Sequence, residues 1–340
     1  MYYSPNYQYS QYNNTPPYVL AQCEKRKIRK TSNGLCWTLL AGMVLMSGLI
    51  IVCTFYLKAF GYKGDYSSPN IMGLSPVLFY LASGTSYLIG LAVPVFLYFA
   101  IKHIKVSSAL PFEKVGFLEG AACVFFGSAV CMLANIPANV VAQIQKAFGF
   151  SGNIPEYPII DDWRVLVLYF VTIVIIPPLT EELLFRGMIL HSLRKFGDGF
   201  AIVGSALLFG LYHGNFIQFV FAFIAGLIMA FVVVRTNSLW ISIFIHFINN
   251  GISVGIEMAK RFGSTDFSNI VNTTVVLSIL ALGTVSIIYL VIKDKHFFRT
   301  AGSNVYLPLS SKLGALFFNP SGIAIIVFSL ITSVNVLLNY

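Results

Sequence analysis

Charged side chains are scarce in this 340-residue chain. Asp, Glu, Lys and Arg together make up 10% of the residues, whereas apolar residues make up 57% and mean hydropathy is +0.77. A soluble domain carries about 25% charged residues, so a soluble globular protein and a disordered chain are both poor interpretations. The apolar runs are long and do not alternate in polarity, which argues against a transmembrane β-barrel. The remaining fold class is an all-α polytopic membrane protein.

Cysteines are also too few for a disulfide framework. The chain has five, an odd number, and contains no CxxC motif. Cys36, Cys53, Cys123 and Cys131 lie within or at the ends of apolar stretches, where a thiol behaves as a small apolar side chain. We therefore predict packing thiols.

Nine apolar stretches follow a polar N-terminal region, and most reach the ~20 residues needed to cross ~30 Å of hydrocarbon. They predict a helical protein with about eight or nine transmembrane helices. The stretches cover residues 36–57, 76–101, 117–136, 163–178, 199–213, 216–234, 239–257, 272–292 and 321–338. We expect the short fourth stretch to continue past Pro177 and Pro178 into Glu181. The polar residues 213–215 predict a helix break between the fifth and sixth stretches.

The chain divides into three predicted regions. Residues 1–33 form a Tyr-, Asn- and Pro-rich tail that we expect to be disordered and cytoplasmic. Residues 34–300 form the transmembrane helical domain, with its functional core at about 160–255, and residues 301–340 form a linker and a final transmembrane helix. The tail ends in a basic cluster that predicts an anchor to anionic lipid. This cluster consists of Lys25, Arg26, Lys27, Arg29 and Lys30.

The formal net charge is +9, and its distribution predicts the orientation of the chain. If the N-terminus is cytoplasmic and the stretches alternate, 16 of the 22 Lys and Arg lie on the cytoplasmic side and 6 lie outside. This is the bias expected of cytoplasmic loops. We predict an integral protein of a prokaryotic cell membrane, with membrane lipids as partners and no nucleic acid partner.

Four ionisable side chains lie at or within apolar stretches, where a charge costs a few kcal/mol. They are Glu181, Glu182, His213 and His246. On a helix, Glu182 and Arg186 are i and i+4 and can form an ion pair, whereas Glu181 is rotated by about 100° and has no such partner. A buried carboxylate without a cation suits a general base. An interfacial charge cluster that closes a helix would give the same sequence pattern.

The two histidines each allow two interpretations. His213 follows Phe209 at the predicted helix break, where it is either a polar contact between helices or part of a reactive site. His246 and Asn250 are i and i+4 and share one helix face. They either bridge helices through hydrogen bonds or stabilise an oxyanion.

Taken together, the motifs EExxxR, FxxxH and HxxxN occur in this order, each on its own predicted membrane helix. The set resembles the CPBP family of intramembrane proteases, which includes the type II CAAX prenyl endopeptidases and the bacteriocin-processing and self-immunity proteins. The motifs span 181–186, 209–213 and 246–250. The resemblance implies an endopeptidase whose substrate is a membrane-associated peptide or a lipidated protein.

The resemblance also implies roles for individual residues. Glu181 would be catalytic and, with His213, would hold and polarise a water that attacks a peptide carbonyl. His246 and Asn250 would stabilise the oxyanion, and we expect these four side chains to converge in one cavity on the cytoplasmic side. Three further residues would shape the site: Glu182, Arg186 and Phe209.

The cofactor is left open by the sequence. Family members have been called metalloproteases, and Glu181, His213 and His246 would leave an open coordination position for water on Zn²⁺. HExxH is absent, however, and a metal-free glutamate mechanism explains the same residues equally well.

Other functions fit the sequence less well. No GxGD motif occurs, which argues against aspartyl chemistry. A non-catalytic immunity or scaffold protein of the same fold is one alternative. A proton-coupled transporter is another, although the inverted repeats typical of transporters are not seen.

Overall fold

The computed structural model describes residues 16–67, 70–151, 159–300 and 306–339. Within these ranges the chain is helical and has no β-strand. Eight helices are long and apolar enough to cross a membrane, which confirms the all-α polytopic class. In chain order, the helices are α1 (Pro17–Ala59), α2 (Pro76–Ile101), α3 (Val106–Ala109), α4 (Phe117–Ala147), α5 (Trp163–Arg194), α6 (Asp198–Tyr212), α7 (Phe216–Thr236), α8 (Leu239–Phe262), α9 (Thr265–Lys293), α10 (Leu309–Phe317) and α11 (Pro320–Asn339).

Helix α1 begins much earlier than its apolar stretch at 36–57. Pro17 occupies the first helical turn, where the missing N–H of proline costs nothing. The expectation of a disordered tail therefore does not hold for residues 17–33, while residues 1–15 lie outside the described ranges. The basic cluster lies on the surface of this helix, with Ile28 buried and its charged neighbours exposed.

The first turns of α1 hold the C-terminal part of the chain. Glu24 accepts hydrogen bonds from the backbone N–H groups of Tyr306 and Leu307, both at 3.0 Å. It also pairs at 3.1 Å with the buried Lys312, whose ammonium donates to the backbone carbonyl of Phe196. Helices α10 and α11 consequently pack against α1 and α6.

Helix α5 continues past its two prolines, as predicted. The segment just before them, Val171–Ile175, is π-helical, and a second π-helical segment covers Leu183–Leu190. Such segments are rare and often occur at functional sites. The helix carries Glu181 and Glu182 between the two π-helical segments, with both side chains buried.

The break between α6 and α7 is also where the sequence predicts it. Helix α6 ends at Tyr212, and Gly214 adopts a positive φ of 60°. Asn215 then caps α7 by accepting a hydrogen bond from the backbone N–H of Gln218 at 2.8 Å. At 1.5 Å per residue, the 15 residues of α6 span about 22 Å, which is less than the ~30 Å hydrocarbon core. The break therefore places His213 at the end of a helix too short to cross the membrane.

Close packing brings α6 and α7 together. A Cβ on Gly226 of α7 would lie only 3.0 Å from Cα of Ala206 on α6, so a larger side chain would separate the two helices. Three of the cysteines predicted to pack in the bundle, Cys36, Cys123 and Cys131, are buried free thiols. Cys53 is a partly buried free thiol, so the prediction of packing thiols is confirmed.

Candidate active site

Three helices bring the predicted motifs together. Helix α5 contacts both α6 and α8, and its buried pair lies between them. Arg186 Nη1 lies 2.7 Å from Glu182 Oε1, and neither side chain is exposed. The guanidinium carbon also lies 4.5 Å from the ring centroid of Phe209. The predicted Glu182–Arg186 ion pair is present, as a buried charge requires.

His246 joins this pair through Glu182. Its Nδ1 lies 3.0 Å from Glu182 Oε1, the same oxygen that binds Arg186. Since a carboxylate only accepts, Nδ1 carries the hydrogen, and this bond fixes the orientation of the ring. His246 Nε2 then lies 3.8 Å from Glu181 Oε2. Glu182 therefore orients an imidazole as well as neutralising a guanidinium.

Glu181 is 3% exposed, and its two carboxylate oxygens have different surroundings. Oε1 accepts a hydrogen bond from the Tyr87 hydroxyl, which in turn accepts one from the Tyr212 hydroxyl at 2.9 Å. Oε2 is buried and has no hydrogen-bond partner within the described part of the chain. Glu181 thus lacks a cation at helical spacing, as predicted, but one of its oxygens is held by a phenol.

The two tyrosines are functional candidates that sequence reasoning missed. Tyr87 lies on α2, outside all three motifs, whereas Tyr212 directly precedes His213. Their only sequence signal is a hydroxyl within an apolar stretch, and such a hydroxyl usually finds a partner when buried.

His213 lies beside the same cluster. Its Nδ1 is 2.8 Å from the backbone carbonyl of Phe209, so Nδ1 donates the hydrogen and Nε2 keeps its lone pair. The centroid of the Phe209 ring lies 4.9 Å from that of His213 and 6.0 Å from that of His246. The two histidines therefore flank Phe209 at the same level of the bundle.

Asn250 is the predicted site residue that the structure does not join to the others. Its Nδ2 donates to the backbone carbonyl of Ile173 at 2.9 Å, and its Oδ1 accepts from Asn249 at 3.2 Å. Across the described ranges, no hydrogen bond links its side chain to Glu181 or to either histidine. One of its amide N–H groups is therefore engaged by the backbone of α5 and not by the other predicted site residues.

The prolines of α5 explain why Asn250 binds the Ile173 carbonyl. An α-helical bond to the Ile173 carbonyl would come from the N–H of residue 177, and a π-helical bond from residue 178. Both are prolines and have no N–H. Asn250 supplies the missing donor, and because an amide has two N–H groups, one is left for another acceptor.

The residues present do not fit a zinc site. Zinc takes three protein ligands at about 2.0–2.2 Å in a catalytic site. Over the residues that the structure describes, no group of three His, Cys, Asp or Glu side chains is placed to hold a metal ion. The alternative in which Glu181, His213 and His246 ligate Zn²⁺ is thus not supported by this geometry, and we derive no step through a metal.

Comparisons with known proteins agree with the site. Residues 163–252, which contain all three motifs, match the family model described as type II CAAX prenyl endopeptidase Rce1-like. The chain is 29% identical over 206 residues to the membrane-embedded CAAX protease MroQ of Staphylococcus aureus (strain USA300), and the alignment covers 58% of this chain and 78% of that protein. No solved structure matches the chain. The motifs, the buried site and both sequence matches support a CAAX-type intramembrane endopeptidase of the CPBP family.

Proposed function

We propose that this endopeptidase uses a water activated by Glu181 to hydrolyse a peptide bond in a membrane-associated peptide or a lipidated protein. One observation carries the proposal. Glu181 Oε2 is buried, has no hydrogen-bond partner among the described residues and lies 3.8 Å from His246 Nε2. Burial without a directly bound cation makes a carboxylate a ready proton acceptor.

In this mechanism, Glu181 Oε2 accepts a proton from the water while the water oxygen forms a bond to the scissile carbonyl carbon. The carbonyl π electrons move onto oxygen and give a tetrahedral oxyanion. Collapse of this intermediate breaks the C–N bond, and Glu181 returns the proton to the leaving amine. His213 Nε2, which keeps its lone pair, accepts a hydrogen bond from the second O–H of the attacking water, and that hydrogen stays on the oxygen.

The oxyanion needs donors, and two side chains are suited to supply them. When His246 is protonated, Nδ1–H donates to Glu182 and Nε2–H is directed to the oxyanion. The second N–H of Asn250, not the one bound to Ile173, is the other donor. Preorganised donors of this kind are worth about 10²–10³ in rate each.

The test uses the full chain reconstituted in liposomes and two internally quenched peptides of one sequence, one farnesylated and one unmodified. We expect Glu181→Gln to lower turnover by about 10²–10⁴-fold and His213→Ala to lower it substantially. Glu113→Gln, which alters an exposed loop carboxylate, should keep wild-type turnover. Wild-type turnover in a folded Glu181→Gln variant would refute the mechanism. Equal cleavage of the two peptides would show that the enzyme does not require a lipid on its substrate.

A further inference from the structure

The hydroxyl chain Tyr212–Tyr87–Glu181 has no place in the mechanism so far. We infer that Tyr87 is a positioning residue, which holds Oε1 of Glu181 so that Oε2 is the oxygen presented to the water. This inference rests on the proposed function, because it concerns the same carboxylate. Tyr87 comes from α2, outside the residues 163–252 that match the family model.

The direction of the hydrogen bonds follows from the donor count. A phenol has one hydrogen, and Tyr87 Oη accepts from Tyr212 Oη at 2.9 Å. The single hydrogen of Tyr87 is therefore directed at Glu181 Oε1. Each hydroxyl polarises the next in such a chain, which strengthens the bonds by about 10–30%.

The hydrogen bond to Tyr87 restricts rotation of the Glu181 carboxylate, which would otherwise misplace the base. The last torsion of a glutamate side chain is broad and roughly two-fold, so an unheld carboxylate exchanges its two oxygens. With Oε1 held, only Oε2 lies near His246 Nε2, at 3.8 Å. Tyr212 connects Tyr87 to the position of His213, because Tyr212 directly precedes His213 at the end of α6. One chain of hydroxyls thus aligns the base with the histidine that shares its water.

The first experiment measures kcat and KM of Tyr87→Phe, Tyr212→Phe and Tyr98→Phe with the quenched peptide in liposomes. We expect Tyr87→Phe to lower kcat by about 10–10²-fold, the cost of a misplaced reacting group, with KM within about threefold of wild type. Tyr212→Phe, which leaves the Tyr87–Glu181 bond in place, should lower kcat by less than about fivefold. Tyr98→Phe is the matched control, since Tyr98 lies on α2 beside Gly34 of α1 and away from the site.

A second comparison shows whether Tyr87 acts through Glu181. Glu181→Asp keeps a carboxylate, but the side chain is shorter by one methylene, so its oxygens lie farther from the Tyr87 hydroxyl. In that background Tyr87→Phe should change kcat by less than about twofold, because sites that act as one unit are not additive. An undiminished effect there would mean that Tyr87 acts independently of Glu181, and the inference would be wrong.

Three other outcomes would also overturn it: wild-type kcat in Tyr87→Phe, a rise in KM that accounts for the loss, or a loss that only follows the folded fraction measured by size-exclusion chromatography. Failure of the proposed function would look different, because Glu181→Gln itself would then retain full turnover.

Discussion

Removing the guanidinium of Arg186 should destabilise the protein far more than a typical substitution. In Arg186→Met, the carboxylate of Glu182, which is 0% exposed in this structure, loses its cation but keeps the contact with His246 Nδ1 at 3.0 Å. Breaking a buried ion pair from one side costs about 3–5 kcal/mol. The contact between the guanidinium and the Phe209 ring at 4.5 Å is lost as well, which adds about 0.5–2 kcal/mol.

The double variant Glu182→Gln/Arg186→Met separates charge from packing. It removes both charges, and the amide oxygen introduced at position 182 still accepts from His246. Replacing a whole buried pair is often neutral, so we expect its unfolding free energy to lie within about 1–2 kcal/mol of wild type. Turnover should behave differently. Arg186→Met keeps the Glu182 carboxylate beside His246, whereas the double variant replaces it with a neutral amide and should be slower per folded molecule.

The measurement is the free energy of unfolding from denaturant titration in mixed micelles, together with turnover normalised to folded protein. Arg261→Met serves as the control, because Arg261 is exposed at the end of α8. If the single and double variants were equally unstable, the unpaired charge could not be the cause, and this account of the pair would fail.

Three further predictions concern other parts of the chain. Lys312→Met should lower the free energy of unfolding by about 3–5 kcal/mol, because this lysine is only 3% exposed in its ion pair. Lys293→Met breaks a pair that is 47% exposed on the lysine side and should lower it by less than about 1 kcal/mol. Equal losses in denaturant titration would contradict this prediction. Asn250→Ala leaves the Ile173 carbonyl unsatisfied and should cost about 1–3 kcal/mol by the same titration, so unchanged stability would be the adverse result. Exposed Cys23 should react with a membrane-impermeant maleimide only after permeabilisation of the cells, and labelling of intact cells would reverse the predicted orientation.

Helical spacing explains why several features could be predicted from the sequence. The positions of Glu182 and Arg186 fix their contact, since residues four apart on a helix are neighbours, and the ion pair is present. The break at residues 213–215 follows from consecutive polar groups in an apolar run. Both signals are local, so they do not depend on how the helices pack against one another.

Contacts between helices could not be predicted from residue spacing along a single helix. The bonds from His246 to Glu182 and from Tyr87 to Glu181 join residues 64 and 94 positions apart. In a membrane, helices associate through close packing and a few polar contacts, and an apolar stretch gives little indication of which face meets which neighbour. The start of α1 was missed for a related reason, because Ile28 alone marks the buried face of its basic turns.

The prolines of α5 show how a local signal sets a distant contact. Pro177 and Pro178 leave the Ile173 carbonyl without a main-chain donor, and an unsatisfied buried carbonyl costs about 1–3 kcal/mol. Asn250 of α8 meets that need at 2.9 Å, so α5 and α8 are joined about two turns before Glu181. The same α8 presents His246 one turn earlier along the chain, next to both carboxylates. The absence of two N–H groups in α5 thus creates one of the contacts that hold α8, and with it His246, beside the base.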